Sequence, residues 1–241
     1  MSTSSGKPDA LSMLPLEPTG SRTKVRDDTG GGHRLSRAAI QSMHNLKQLR
    51  QQIRAQRRAL SVQQQKLHSQ SVAKQLTSSA LFLRSRRIAF YLSEDGEIDL
   101  TPILNRAHKM GKECFLPVIH KGPQYTLWFC KYQPGDWLIP NRFGINEPNH
   151  HKYPPVKPWG LDLILMPLVA FDAECNRLGM GGGYYDRTLS FLHIRNRWRS
   201  PCLVGVAHDC QKVGKLPVQS WDIPLQGVVT ESSFYRQNVI R

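Results

Sequence analysis

No stretch of this chain stays apolar for long. The longest candidate, Leu161 to Ala170, holds Asp162 and Pro167 and falls far short of the ~20 residues that a bilayer-crossing helix needs. The first residues contain no apolar core of the secretory type, so no export signal is expected. Cysteine is sparse: Cys114, Cys130, Cys175, Cys202 and Cys210 include no CxxC pair, and their number is odd. This argues against a disulfide framework and a cysteine zinc site, and points to free thiols in a reducing compartment, the cytoplasm. Acidic residues are few, 18 against 33 Lys and Arg. The net charge of +15 is not held in one tail, because 1–58 carries eleven of the basic and four of the acidic residues. Such a field favours anionic partners: nucleotides, phosphorylated or polycarboxylate metabolites, or nucleic acid.

Generic signatures are missing too. There is no Gly-Lys-Ser/Thr of a Walker loop. Gly179-x-Gly181 is followed by Tyr184 where a dinucleotide fingerprint needs glycine or alanine. The chain has no Gly-x-Ser-x-Gly elbow, so a covalent acyl-enzyme route has no visible nucleophile. Helix-turn-helix, zinc-finger and RNA-binding patterns are likewise absent.

What is present reads as an alternating α/β chain. Residues 1–43, rich in Ser, Gly, Pro and Thr, show no apolar period and are read as a disordered N-terminal extension. Asp9, Glu17, Asp27 and Asp28 argue against a transit peptide. Residues 44–241 are read as a single α/β catalytic domain. Leu46, Leu49, Ile53 and Leu60 predict a helix from about His44 to Leu60. Lys47, Arg50, Arg54 and Arg57 form a basic stripe beside that apolar one. Ser61 with Gln64 is a capping-box pair that opens a second helix, to about Ser79. Thr101-Pro102 and Gly111 bracket another helix as N-cap, N1 and C′. Strands are predicted at Ile88–Leu92, Cys114–Ile119, Leu161–Met166, Leu203–Ala207 and, last, Gly227–Thr230. Tyr125–Cys130 reads as a further strand near an edge. Strands alternating with helices imply an open, mostly parallel sheet covered on both faces. Ligands of such sheets bind beyond the carboxyl ends of the strands.

Three loops there carry candidate chemistry. In Asn176 to Leu189, NRLGMGGGYYDRTL, the glycines let backbone N–H groups approach a ligand. The start of the next helix adds partial positive charge, so the segment reads as a phosphate cradle. Asp186 behind it suits magnesium; a bare glycine turn with two core tyrosines fits the same letters. In Tyr91 to Thr101, Glu94, Asp95, Glu97 and Asp99 cluster, either as ligand-binding acids or as loop and helix-start charges. In His208 to Glu231, the loop acids Asp209, Asp222 and Glu231 are candidates to complete a magnesium site with Asp186, while Asp209 and Asp222 read equally as ordinary turn formers near Pro224. His208 reads as a hydrogen-bonded structural histidine, since no second histidine stands at a ligand-like spacing.

Together and in this order, these segments resemble the 5-formyltetrahydrofolate cyclo-ligase family over about Leu46 to Glu231. The resemblance is carried by LKQLRQQIRAQRRALS, FYLSEDGEIDLTPIL, GKECFLPVI, FGINEP (Phe143 to Pro148), NRLGMGGGYYDRTL and WDIPLQGVVTE. It implies a three-layer α/β/α sandwich. It implies an ATP- and magnesium-dependent ligase that converts 5-formyltetrahydrofolate to 5,10-methenyltetrahydrofolate, releasing ADP and phosphate. The formyl oxygen is phosphorylated, and N10 then attacks the activated carbon. Lys47 and Arg50 are implied to reach the ATP phosphates. Arg177, Leu178, Gly179, Met180, Gly181, Gly182, Gly183, Tyr184 and Tyr185 are implied to wrap the nucleotide. Leu92 and Glu97, with Met180 to Tyr184, are implied to touch the folate. Asp186 and Asp222 are implied to hold Mg2+, and Glu97, Tyr184 and Asp186 to act in catalysis. Some relatives carry basic residues where this chain has Met180 and Gly182, so side-chain contacts to nucleotide are not expected there.

The expected partners are small molecules, with neither nucleic acid nor membrane, and the chain is read as a monomer. Two other readings stand beside this one. Arg50, Arg54, Arg57 and Arg58 on one helix suit a nucleic-acid-binding module. The sheet architecture also suits a sugar-phosphate or CoA-binding enzyme.

Overall fold

Leu46, Leu49 and Ile53 share one face of the first helix, α1 (Arg37–Arg58). That face packs on Val169, Ala170, Leu178 and Leu216, as the apolar stripe predicts. The structure, a computed structural model, describes residues 37–120, 125–141, 144–149, 153–193 and 200–237. The helix starts at Arg37, seven residues before the predicted His44, inside the stretch read as a disordered extension. Its first seven residues, RAAIQSM, lack a capping signature and do not continue the Leu46-Leu49-Ile53 stripe as a sustained period. Residues 1–36 and Phe143 lie outside the described residues.

Helix α2 (Val62–Thr77) begins at the predicted capping box. Ser61 Oγ accepts from Gln64 N, and Gln64 Oε1 accepts from Ser61 N, an arrangement of about 1 kcal/mol. Helix α3 (Ala80–Arg84) follows, and β1 (Arg87–Ala89) enters the sheet. The predicted strand there runs on to Leu92. Instead Tyr91 turns off the ladder, and its hydroxyl donates to Ile98 O at 3.1 Å. Helix α4 spans Thr101–Lys109, with Leu100 rather than Thr101 at the N-cap and Pro102 in the first turn. Gly111, at φ 70°, ends it as expected.

The remaining strands are β2 (Glu113–Ile119), β3 (Leu127–Lys131), β4 (Leu138–Pro140), β5 (Asn146–Pro148), β6 (Leu163–Pro167), β7 (Ala170–Phe171) and β8 (Arg177–Leu178). After them come helix α5 (Tyr184–Leu189) and strands β9 (Cys202–Val206), β10 (Gly227–Val229) and β11 (Phe234–Arg236). Seven strands form one sheet in the order β11-β10-β9-β6-β1-β2-β3; β4-β5 and β7-β8 are separate hairpins. The five inner strands are parallel, and β3 and β11 add antiparallel edges. Gly227–Thr230 is therefore not the last strand. The hairpin to β11 closes through Thr230 N–H to Ser233 O at 2.8 Å, without the glycine that usually marks such a turn.

Alternate residues of each inner strand enter opposite cores. Ile88, Leu163, Leu165, Val204 and Val206 face α2, α3 and α4. Ala89, Ile164, Met166 and Leu203 face Leu189 of α5, Phe171 and Leu225. The α/β sandwich expected from the sequence is thus present, its second face covered by a short helix and loops. Among the described residues, no helix is long and apolar enough to cross a membrane. The chain moves outward from β1 to β2, then crosses back to β6 on the other side of β1. The carboxyl ends of β1 and β6 flank this switch point, where doubly wound sheets open a crevice.

Gly205, in the middle of β9, has no room for a side chain. A Cβ there would lie 2.7 Å from Leu168 Cδ2 and 2.8 Å from Leu225 Cδ1. Gly205→Ala is expected to lower stability by roughly 1–3 kcal/mol through overpacking, read as a lower urea midpoint at unchanged slope.

Candidate active site

A cleft of about 1480 Å³ opens at the switch point, larger than the roughly 300–1,000 Å³ of a single-ligand pocket. Its walls come from the segments after β1, β2 and β6, from the glycine loop before α5, and from Leu216 to Asp222. Arg50 and Arg57 reach it from α1.

The acidic loop after β1 divides its carboxylates among distinct tasks. Asp99 Oδ1 accepts from Thr101 N and Oγ1, starting α4. Asp95 adopts a left-handed φ of 55° and receives three guanidinium groups. Arg54 Nε is 2.8 Å and Arg57 Nη2 2.9 Å from Oδ2, and Arg58 binds Oδ1. Partial burial pushes the Asp95 carboxyl up, but hydrogen bonds from Arg58 and Arg54 and the nearby positive charge outweigh it and hold it at about 2. Arg57 is itself only 1% exposed. It also donates to Asp95 O and Leu168 O, and its Nη1 stands 3.7 Å from Glu97 Oε1. Glu97 lines the cleft. Burial raises its carboxyl to about 7 despite the opposing field of Arg57. Asp95 thus holds Arg57 in place, and Arg57 is the cation nearest Glu97.

The glycine loop faces this wall. Gly181 and Gly183 have φ of 97° and 65°, conformations that exclude most side chains. Arg50 Nε donates to Gly179 O at 2.8 Å, and its guanidinium lies 3.8 Å from the Cβ position of Gly181. At the far end, Arg187 binds Gly182 O and stacks over Tyr184 and Tyr125. Helix α5 has only six residues, so its dipole is small, and the positive charge around the loop comes from Arg50, Arg177 and Arg187. Arg177, almost buried, pairs with Asp186 and donates to Ile223 O at 3.1 Å. Burial lowers its guanidinium, while the fields of Asp186 and Asp222 raise it. Both carboxylates line the cleft, and Asp222 Oδ2 also accepts from Gln219 N.

A model of the 5-formyltetrahydrofolate cyclo-ligase family matches residues 42–231. The chain belongs to the 5-formyltetrahydrofolate cyclo-ligase family. It is 41% identical to the cyclo-ligase of Escherichia coli K12 over 76% of this chain and 98% of that one. The Haemophilus influenzae cyclo-ligase is 38% identical over 74% of this chain and 95% of its own. The solution structure of Aquifex aeolicus 5,10-methenyltetrahydrofolate synthetase superposes with a TM-score of 0.68 at 35% identity, covering 81% of this chain and 94% of that one.

In this cyclo-ligase family member, one cleft gathers Arg50, Leu92, Glu97, the run Arg177 to Asp186, and Asp222. Lys47, the remaining site residue expected from the sequence, is exposed and is not among the lining residues. Met180 is 57% exposed at the rim. Asp186 and Asp222, the pair expected from the sequence to hold magnesium, share the neighbourhood of Arg177. Sequence reasoning did not single out Arg187 or the Asp95 clamp. The clamp had one signal: an acid run facing an arginine run, each in an otherwise unremarkable place. Asp209, offered as an alternative cation ligand, accepts from Thr230 Oγ1 and Tyr235 OH and belongs to the fold.

Two outcomes follow from the clamp. Asp95→Asn leaves the buried Arg57 short of its counter-charge and should cost roughly 3 kcal/mol at neutral pH. Asp95 is depressed from 3.8 to about 2, so its stabilisation is present above 3.8 and lost as pH falls toward about 2. Urea unfolding of variant and parent should therefore converge in acid; a constant gap contradicts the assignment. Glu97 has the opposite sign. Between 4.5 and about 7 the folded state keeps a proton that the unfolded chain releases, so stability falls as pH rises through that window. Glu97→Gln should remove this loss, and an unchanged pH dependence would count against the buried carboxyl.

Proposed function

We propose that this protein converts 5-formyltetrahydrofolate to 5,10-methenyltetrahydrofolate with ATP and magnesium, releasing ADP and phosphate, and does so in the cytoplasm. The observation that carries the reading is one oversized cleft with two unlike walls. One wall is a glycine loop flanked by Arg50, Arg177 and Arg187; the other is a buried carboxyl, Glu97, beside Tyr91 and Leu92. The first suits a polyphosphate, the second a flat heterocycle with N–H donors. Five free cysteines suit a reducing compartment.

A formyl amide is a poor electrophile, and phosphorylating its oxygen turns that oxygen into a leaving group. The formyl oxygen attacks the γ-phosphorus as ADP departs. N10 then adds to the activated carbon, closing the five-membered ring; its proton passes to the departing phosphate or to solvent as the C–O bond breaks and the methenyl double bond forms. The protein's part is positioning and charge stabilisation. The amides of Gly181 to Gly183 and the Arg50 guanidinium offset charge on the transferred phosphoryl group. Lys47 adds positive charge from the exposed side of α1. Tyr184, clamped by Arg187, shapes the boundary between nucleotide and folate. Glu97, poised near neutrality, holds a pterin N–H as carboxylate or a ring nitrogen as acid.

The donor set suits magnesium, which takes one or two carboxylates and fills its other positions with water and phosphate oxygens. Asp186 and Asp222 would hold it, where it would neutralise phosphate charge. Arg177 supplies the counter-charge that keeps two carboxylates together beside the cleft.

The helix arginines that suggested nucleic acid are engaged within the chain. Arg54, Arg57 and Arg58 bind Asp95, and Arg50 binds Gly179 O.

The test is the appearance of methenyltetrahydrofolate absorbance from 5-formyltetrahydrofolate, with and without ATP. Product is expected only with ATP and magnesium; none under any condition overturns the reading. Asp186→Asn should lower turnover at least about 10²-fold with an unchanged fold by circular dichroism.

A further inference from the structure

Behind the cleft wall, three elements far apart in sequence bring two histidines and a glutamate together. His68 belongs to α2, His208 to the loop after β9 and Glu231 to the loop after β10. His68 Nδ1 lies 2.9 Å from His208 Nδ1 and 3.4 Å from Glu231 Oε1. All three ligand-type atoms fall within 4.8 Å of one another. Ligands bound at ~2.0–2.1 Å to one ion stand roughly 2.9–3.4 Å apart, so the two close separations match a shared coordination sphere.

The outward atoms of two of these side chains are already committed. A carbonyl only accepts, so the 3.0 Å contact with Gly96 O fixes a proton on His208 Nε2 and leaves a lone pair on Nδ1. Such a hydrogen bond to the outer nitrogen is how metal-binding histidines are oriented. Glu231 Oε2 accepts from Asp209 N at 3.0 Å, leaving Oε1 turned to His68. His208 is fully buried, whereas the side chains of His68 and Glu231 are 22% and 16% exposed, which gives an ion an entry side. Gln75 Nε2 donates to the carbonyls of Thr230 and Glu231, pinning α2 to the loop that carries the carboxylate.

Two imidazoles with one carboxylate favour a transition-metal ion of the zinc class over magnesium, which prefers oxygen alone. We propose that His68, His208 and Glu231 bind one such divalent ion, distinct from the magnesium pair Asp186 and Asp222. A proton shared between the two imidazoles takes the same place when the ion leaves. Through the His208 bond to Gly96, the ion braces the turn that holds Asp95 and Glu97.

Full-length protein, stripped with chelator, is titrated with Co2+ by its visible ligand-field bands and with Zn2+ by calorimetry. One equivalent is expected in the parent and in Asp186→Asn. Binding should weaken by more than about tenfold in His68→Ala and in the near-isosteric Glu231→Gln, each checked for folding by circular dichroism. If both variants bind as the parent does, the ion sits elsewhere and the proposal falls. A parent that binds no equivalent overturns it equally, leaving a hydrogen-bonded histidine pair.

Discussion

Asp95 occupies a left-handed turn just beyond β1, and three guanidinium groups of α1 close on its one carboxylate. Much of the site's geometry depends on this contact. Helix α1 also touches the body through a small apolar cluster around Ile53 and through Arg50 and Arg57 bonds to backbone carbonyls. The clamp fixes its rotation and its axial position. Arg50 is thereby laid across the glycine loop, and Arg57 is driven into the interior. Removing either side of the contact leaves charge without compensation in a poorly solvated place, which is why such a junction tolerates little slack.

The same contact explains how a strongly basic chain keeps an acidic carboxyl near neutrality at its centre. Glu97 is largely but not fully buried, its side chain 15% exposed, and Arg57 lies 3.7 Å away. The guanidinium is shared with Asp95 and with backbone carbonyls, so desolvation prevails over attraction at Glu97. Polar groups are otherwise matched: among the described residues, no buried side-chain nitrogen or oxygen lacks a partner. Positive charge that faces the cleft is therefore placed by specific bonds, as Arg187 is by Gly182 O and two tyrosine rings.

Legibility along the chain followed the range of the interactions. The capping box of α2 and the glycine end of α4 rest on contacts within a few residues, and strands β2, β6 and β9, though paired with distant strands, carry continuous apolar runs; all were readable. The early start of α1 was not, because no capping signature or sustained apolar stripe precedes Leu46. β11 escaped because its hairpin turn is closed by Thr230 rather than by glycine. The acidic loop was recognised as a cluster, yet the separate fates of Asp95, Glu97 and Asp99 depend on Arg57 and on the start of α4.

Residue order alone established an alternating α/β chain, a glycine stretch able to admit ligand to its backbone, and a set of segments shared with one enzyme family. Those properties are local: periodicity, caps, missing Cβ atoms. Folding decided which charges meet. It paired Asp186 with Arg177, gathered three arginines on Asp95, and brought His68 beside His208 from 140 positions away. Charge pairing is set by distance through space and by loss of water, and neither is written in the spacing of letters.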